Sequence, residues 1–208
     1  MEDILDLYQQ PRDPRRPLVC MDEQPKQLIK ETRTPRRPTP GHPARVDYEY
    51  ERAGTANVFL FVAPLEGHRH VDVTKRRTAV DWAHQIRRLV DIDYPDAAVI
   101  RLVMDNLNTH TVASLYAAFP PDEARRIARK LDIHYTPKHG SWLNIAEVEL
   151  NALTRQCLRR RIPDLPKMRR EVDAWQTDRN ATLVGVNWRF TTDDARIKLR
   201  TLYPKTEA

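Results

Sequence analysis

The chain has 208 residues, with 35 Lys and Arg against 29 Asp and Glu, a formal net charge of +6, 16 prolines and 2 cysteines. That length supports one domain with a single sizeable core. No run approaches the ~18 consecutive apolar residues of a membrane span. The acidic start Met1-Glu-Asp-Ile-Leu-Asp6 lacks the apolar stretch of a secretory signal. Cys20 and Cys157 form neither a disulfide framework nor a zinc knuckle, so a reducing, cytoplasmic setting is expected. Basic residues cluster at Arg33, Arg36, Arg37 and Arg45, at Lys75–Arg77 and at Arg159–Arg161. The sequence pI near 9.5 passes the rough threshold of about 9 for nucleic-acid binders. Charge of this kind points to a polyanion, although solvated helix surfaces also collect arginines.

Residues 1–17 are polar and interrupted by Pro11, Pro14 and Pro17, which reads as the remnant of a linker ahead of the core. Leu18–Met21 is a short apolar strand stopping at Asp22-Glu23. Residues 32–45 hold four prolines and four arginines. Proline removes backbone donors and fixes φ, so this segment is expected as an extended arm. Asn57–Val62 and His70–Val73 read as strands around a turn at Glu66-Gly67. From Thr78, a capping residue, the apolar period lengthens to three and four, predicting a helix over 79–91. Ala97–Met104 reads as a buried strand, followed by helices near 111–119 and 122–131 and a strand at 133–135. A loop at 136–142 leads into a helix over about 143–161, then one at 165–180, and a last helix after Thr191-Thr192. Strands that alternate with helices after an initial group of strands predict an α/β domain over 18–203 with a mixed sheet flanked by helices, and residues 204–208 as a tail.

Two apolar strands end on an aspartate, Asp22 and Asp105, and a third acid, Glu147, opens the helix after the 136–142 loop. Carboxyl ends of strands line the crevice where ligands bind in open α/β sheets. Three carboxylates gathered there suit Mg²⁺, which prefers oxygen ligands and keeps waters for substrate phosphates. The cation would also let acids sit in a basic groove. A chain with 29 acids also puts some at strand ends by chance. Glu149 competes for the third position, because the apolar stripe Ala146, Leu150, Leu153 and Cys157 lies at a similar wheel angle from both glutamates.

Asp105-Asn-Leu-Asn-Thr-His110 and Tyr135-Thr-Pro-Lys-His-Gly-Ser-Trp-Leu-Asn-Ile-Ala-Glu147 together resemble the catalytic core of DDE-type insertion-sequence transposases of the mariner superfamily. Cys20-Met-Asp-Glu23 and Val186–Leu199 resemble the same family's first and last blocks, in order, over roughly residues 18–203. The resemblance implies a ribonuclease-H-like fold, catalytic and metal-holding roles for Asp22, Asp105 and Glu147, and two Mg²⁺ ions for which Mn²⁺ substitutes. It favours Glu147 over Glu149. Ile145 stands where many relatives carry proline. Implied partners are double-stranded DNA, as transposon ends and target, with room for a homodimer and no membrane. The implied localisation is cytoplasmic and nucleoid-associated.

Around the acids, Asn106 and His110 could meet metal-bound water or phosphate, or act only as a cap and a surface histidine. Lys138, His139 and Ser141 are candidate DNA-backbone donors, as are the arm residues Arg33, Arg36, Arg37 and Arg45, against the plainer reading of polar loops. Trp142 reads as a core anchor more than as a base-stacking platform, and Cys20 as a small buried residue, since Mg²⁺ avoids thiolates. Hydrolysis exposing a 3′-hydroxyl and strand transfer are the implied reactions. A related nuclease without strand transfer, or a silent DNA-binding remnant, are the alternatives. The family's helix-turn-helix reader needs two helices, which residues 1–17 cannot supply. The expectation is therefore a catalytic portion whose DNA contacts are mostly sequence-independent.

Overall fold

A computed structural model describes residues 1–45, 47–138 and 140–203. His139 and the expected tail 204–208 lie outside the described residues. The sheet contains β1 (Leu18–Glu31), β2 (Tyr50–Ala63), β3 (His68–Thr74), β4 (Ile100–Met104) and β5 (Leu131–Tyr135). Their order is β3-β2-β1-β4-β5. β1 and β2, and β2 and β3, pair antiparallel, whereas β4 runs parallel to both β1 and β5. This is the mixed sheet expected from the sequence.

Strand alternation sends successive side chains to opposite faces and so builds two cores. Leu18, Cys20, Val58, Leu60, Val62, Val71 and Val73 pack with α5 (Ile145–Leu153) and α6 (Leu165–Thr182). Val19, Met21, Phe59, Phe61, Leu102 and Met104 pack on the other face against α2 (Ala79–Arg88), α3 (Val112–Ala118) and α4 (Pro121–Ala128). Thr78 caps α2 through a reciprocal box with Asp81, and Thr191 caps α7 (Thr192–Lys198) the same way with Asp194. No helix among the described residues is long and apolar enough to cross a membrane.

Three expectations change. Residues 1–17 are not merely a linker, because α1 (Glu2–Tyr8) buries Ile4, Leu5, Leu7 and Tyr8 in the first core. The prolines that suggested a linker all follow this helix, and its apolar face is too short to show a period. β1 also does not stop at Asp22-Glu23 but continues to Glu31. Its pairing with β4 covers only Leu18–Cys20, so beyond that point no strand pairs on that edge and Pro25 costs no ladder bond there. Finally, the helices α2 and α5 each end in a π-helical turn, at Leu89–Asp93 and Thr154–Leu158. The arm is extended as expected: Arg36 pairs with Arg45 and Thr39 with His42, and the arginines are exposed.

Candidate active site

Cys20 of β1 lies opposite Val103 of β4 in the parallel pair. The same register brings Asp22 and Asp105 side by side at the carboxyl ends of adjacent strands, with Asp105 just past the last paired residue of β4. Glu147 comes from the first turn of α5. Asn144 fixes that turn: its side chain accepts from the Ala146 amide at 3.1 Å and donates to the Met21 carbonyl at 2.9 Å. One asparagine thus caps α5 and ties it to β1 beside Asp22. Ile145, where the resemblance would place a proline, is buried and starts the helix.

An open cleft of about 490 Å³ runs from the acids between β1 and α5, lined by Asp22, Glu23, Gln24, Glu147, Leu150, Asn151 and Thr154. A second, of about 470 Å³, is lined by Asp105, Asn106, Leu107, Thr136, Pro137, Lys138 and Ser141. Asn106, Lys138 and Ser141 therefore gather around Asp105. The arm carries a separate hollow of about 430 Å³ lined by Arg36, Arg37, Thr39, His42, Pro43 and Arg45. Arg33 faces Asp47 at 3.3 Å instead.

Burial raises the Asp22 carboxyl to about 7; the Glu23 amide bonded to it at 2.7 Å opposes this, while the nearby Asp105 and Glu147 charges add to it. Acids that repel one another in this way form a hard-oxygen donor set suited to a divalent cation. Among the described residues no three His, Cys, Asp or Glu side chains converge as a preformed metal centre. In donor chemistry Asp22, Asp105 and Glu147 suit such an ion, without a preformed three-carboxylate centre among the described residues.

His110 differs from its expected role. Its side chain is fully buried, so it does not present itself to DNA. Nδ1 lies 2.6 Å from Asp105 Oδ1, and Nε2 lies 3.4 Å from Glu23 Oε2. Burial alone would lower the histidine pKa, but the bond to Asp105 and the Glu23 carboxylate nearby outweigh it and push it up to about 9. The histidine lies within the motif, but sequence spacing cannot show that Glu23, 87 positions earlier in the chain, meets it.

Glu149 separates from Glu147. It accepts a bidentate bond from Arg69 (2.7 and 2.9 Å) and another from Arg179 (3.0 Å). Burial would raise its pKa, but the two guanidinium groups hold it below the usual carboxylate value. It lines neither cleft. Arg69, missed from the sequence, is fully buried and also donates to the Gly67 and Val184 carbonyls. Trp142 is both anchor and surface, 40% exposed yet stacked on Trp188 with ring centroids 6.4 Å apart. Cys20 is buried, its thiol pushed up to about 12 by desolvation.

The fold is similar to that of the Mos1 mariner paired end complex with Mn, with a TM-score of 0.60 at 16% identity, covering 88% of this chain and 54% of that one. The Mos1 strand transfer complex gives 0.57 at 15% identity, over 90% and 60%. The catalytic domain of Mos1 mariner transposase gives 0.50 at 13% identity, over 88% and 87%. The chain spans about half the length of the first of these. No curated protein matches it. A family model, described as DDE superfamily endonuclease, matches residues 17–169. That match takes in β1, β4 and α5 with all three acids, and by it the chain belongs to the DDE superfamily endonucleases.

Proposed function

We propose that this chain is the catalytic domain of a DNA transposase, cutting and joining strands at transposon ends. The carrying observation is the placement of Asp22 and Asp105 on adjacent parallel strands, with Glu147 delivered to the same cleft by α5. Likeness to complexes described as paired-end and strand-transfer supports the reading. Asp22, Asp105 and Glu147 would hold Mg²⁺, with Mn²⁺ as a substitute and two ions as the full complement. Such ions, when bound, supply Lewis-acid stabilisation of charge on phosphoryl oxygens and lower the pKa of bound water.

The chain's own side chains do the rest. Asn106, Lys138 and Ser141, around the Asp105 cleft, donate to a phosphate backbone and orient it across the acids. The exposed Arg36, Arg37 and Arg45 extend that grip outward along double-stranded DNA. Hydrolysis and strand transfer are then successive in-line displacements at phosphorus, with water and then a 3′-hydroxyl as nucleophile and no covalent enzyme intermediate. Incubation of the chain and Mg²⁺ with duplexes carrying the ends that flank its gene tests the reading. Nicked and joined products are expected. Nicks without joints would indicate a nuclease alone, and neither product would indicate a silent binding remnant.

A further inference from the structure

Asp22 lies within β1 and Glu147 within the capped first turn of α5, but Asp105 follows the last paired residue of β4 and has no ladder to fix it. Its side chain is held instead by His110, 2.6 Å away. His110 is itself held by its ring and by its backbone. Its ring stacks on Trp82 of α2, with centroids 5.9 Å apart and planes at 25°. Its backbone carbonyl accepts from the Tyr135 hydroxyl at 3.0 Å. Its second ring nitrogen faces Glu23 at 3.4 Å. The Glu23 side chain is only 3% exposed, and its other oxygen meets Arg77 at 3.3 Å. Among the described residues, Glu23 Oε2 and His110 Nε2 are buried without a hydrogen-bond partner, and each has the other, at ion-pair distance, as its polar neighbour.

Resting on the catalytic reading above, we propose that Glu23 is a positioning residue for Asp105, acting through His110. A buried carboxylate without a donor is costly. The Glu23–His110 pairing therefore selects the ring orientation in which the opposite nitrogen donates to Asp105 Oδ1. That leaves Oδ2 of Asp105 for the cleft. Asp22 and Glu23, neighbours in β1, thereby serve one site by different routes. Asp22 faces the cleft directly, and Glu23 reaches the second aspartate from the side of the sheet covered by α2. Outer carboxylates and histidines that orient metal-binding side chains commonly change affinity or rate by about 10–100-fold when removed.

The test uses Glu23→Leu and Glu23→Gln in the full chain, with Mn²⁺ alone as the calorimetric probe, thermal unfolding as the control for folding, and nicking rates measured separately. Glu23→Leu is expected to weaken Mn²⁺ binding and lower kcat by about tenfold or more, with the KM for DNA within about twofold. Glu23→Gln, which still accepts a hydrogen bond, is expected to fall between that variant and wild type. Wild-type Mn²⁺ affinity and kcat in both folded variants would overturn the proposal. If the leucine variant does not fold, the glutamine variant decides, and Mn²⁺ affinity equal to wild type overturns the proposal. A wild-type chain that binds Mn²⁺ but cuts no DNA counts against the transposase reading, not against the positioning role.

Discussion

Glu147 and Glu149 lie on the same helix and meet opposite environments. Glu147 looks into an open cleft beside Asp22, and no guanidinium among the described residues pairs with it. Glu149 is sealed between Arg69 and Arg179 and holds α5 against β3 and α6. The difference teaches that a carboxylate's role follows from its partners and not from its place in a motif. An acid already paired with two buried or half-buried cations has no oxygen left for a metal or a substrate. An acid beside other acids needs a cation from outside.

Exchanging charge for a neutral isostere at the two positions separates them most sharply. Glu147→Gln, or Asp105→Asn, should all but abolish Mg²⁺-dependent nicking, a loss of about 10²–10³-fold on the scale of transition-state charge stabilisation. Thermal unfolding and DNA binding should stay near wild type. If Glu147→Gln cuts normally and Glu149→Gln does not, the roles of the two glutamates are reversed.

The next effect is on stability. Removing one partner of a buried ion pair costs ~3–5 kcal/mol, whereas replacing both with apolar groups is often close to neutral. Arg69→Met alone should therefore unfold at much lower denaturant than wild type, and Arg69→Met combined with Glu149→Leu should recover much of the loss. Chemical denaturation with a constant m-value would show it. A single variant as stable as wild type would mean that α5 is not held by this pair.

The opposite face of β3 gives a smaller, pH-dependent effect. His70 stacks on Phe61 and is bonded by Arg88, and burial together with that guanidinium pushes its pKa down to about 4. An ordinary histidine titrates near 6.5. As pH falls from about 6.5 towards about 4, the unfolded chain takes up a proton that the folded chain refuses. Stability should then fall by up to ~3 kcal/mol across that window and level off below it. In His70→Gln this part of the acid slope should vanish; an unchanged slope between those pH values would show that His70 is not its source.

The smallest effect belongs to the arm. Replacing Arg33, Arg36, Arg37 and Arg45 with alanine should flatten the plot of log K against log[salt] by about 0.9 for each phosphate the arm neutralises. Arg33, facing Asp47, should contribute least. An unchanged slope would assign the arm to protein contacts, including those with a second copy of the chain.

Local chemistry made much of this molecule legible in its sequence. Thr78 and Thr191 mark helix starts because a hydroxyl followed by an acid satisfies free amides at a helix end. The arm is extended because proline admits little else. Asp22 and Asp105 mark the ends of apolar runs because such a run cannot carry a charge into the core. Other features depended on residues far apart in the chain. The helix at 2–8 is stabilised by a core that includes Val172, Trp175 and Ala195, far along the chain, and its own short apolar face announces little. Glu147 and Glu149 are equivalent on a helical wheel and are told apart only by where Arg69 and Arg179 fall. His110, a plausible surface ligand by its motif, became a buried support for Asp105 once β1 placed Glu23 and α2 placed Trp82 around it. Propensity and capping act over a few residues and can be read from them, whereas burial and charge pairing are properties of the assembled neighbourhood and exist only after the sheet has closed.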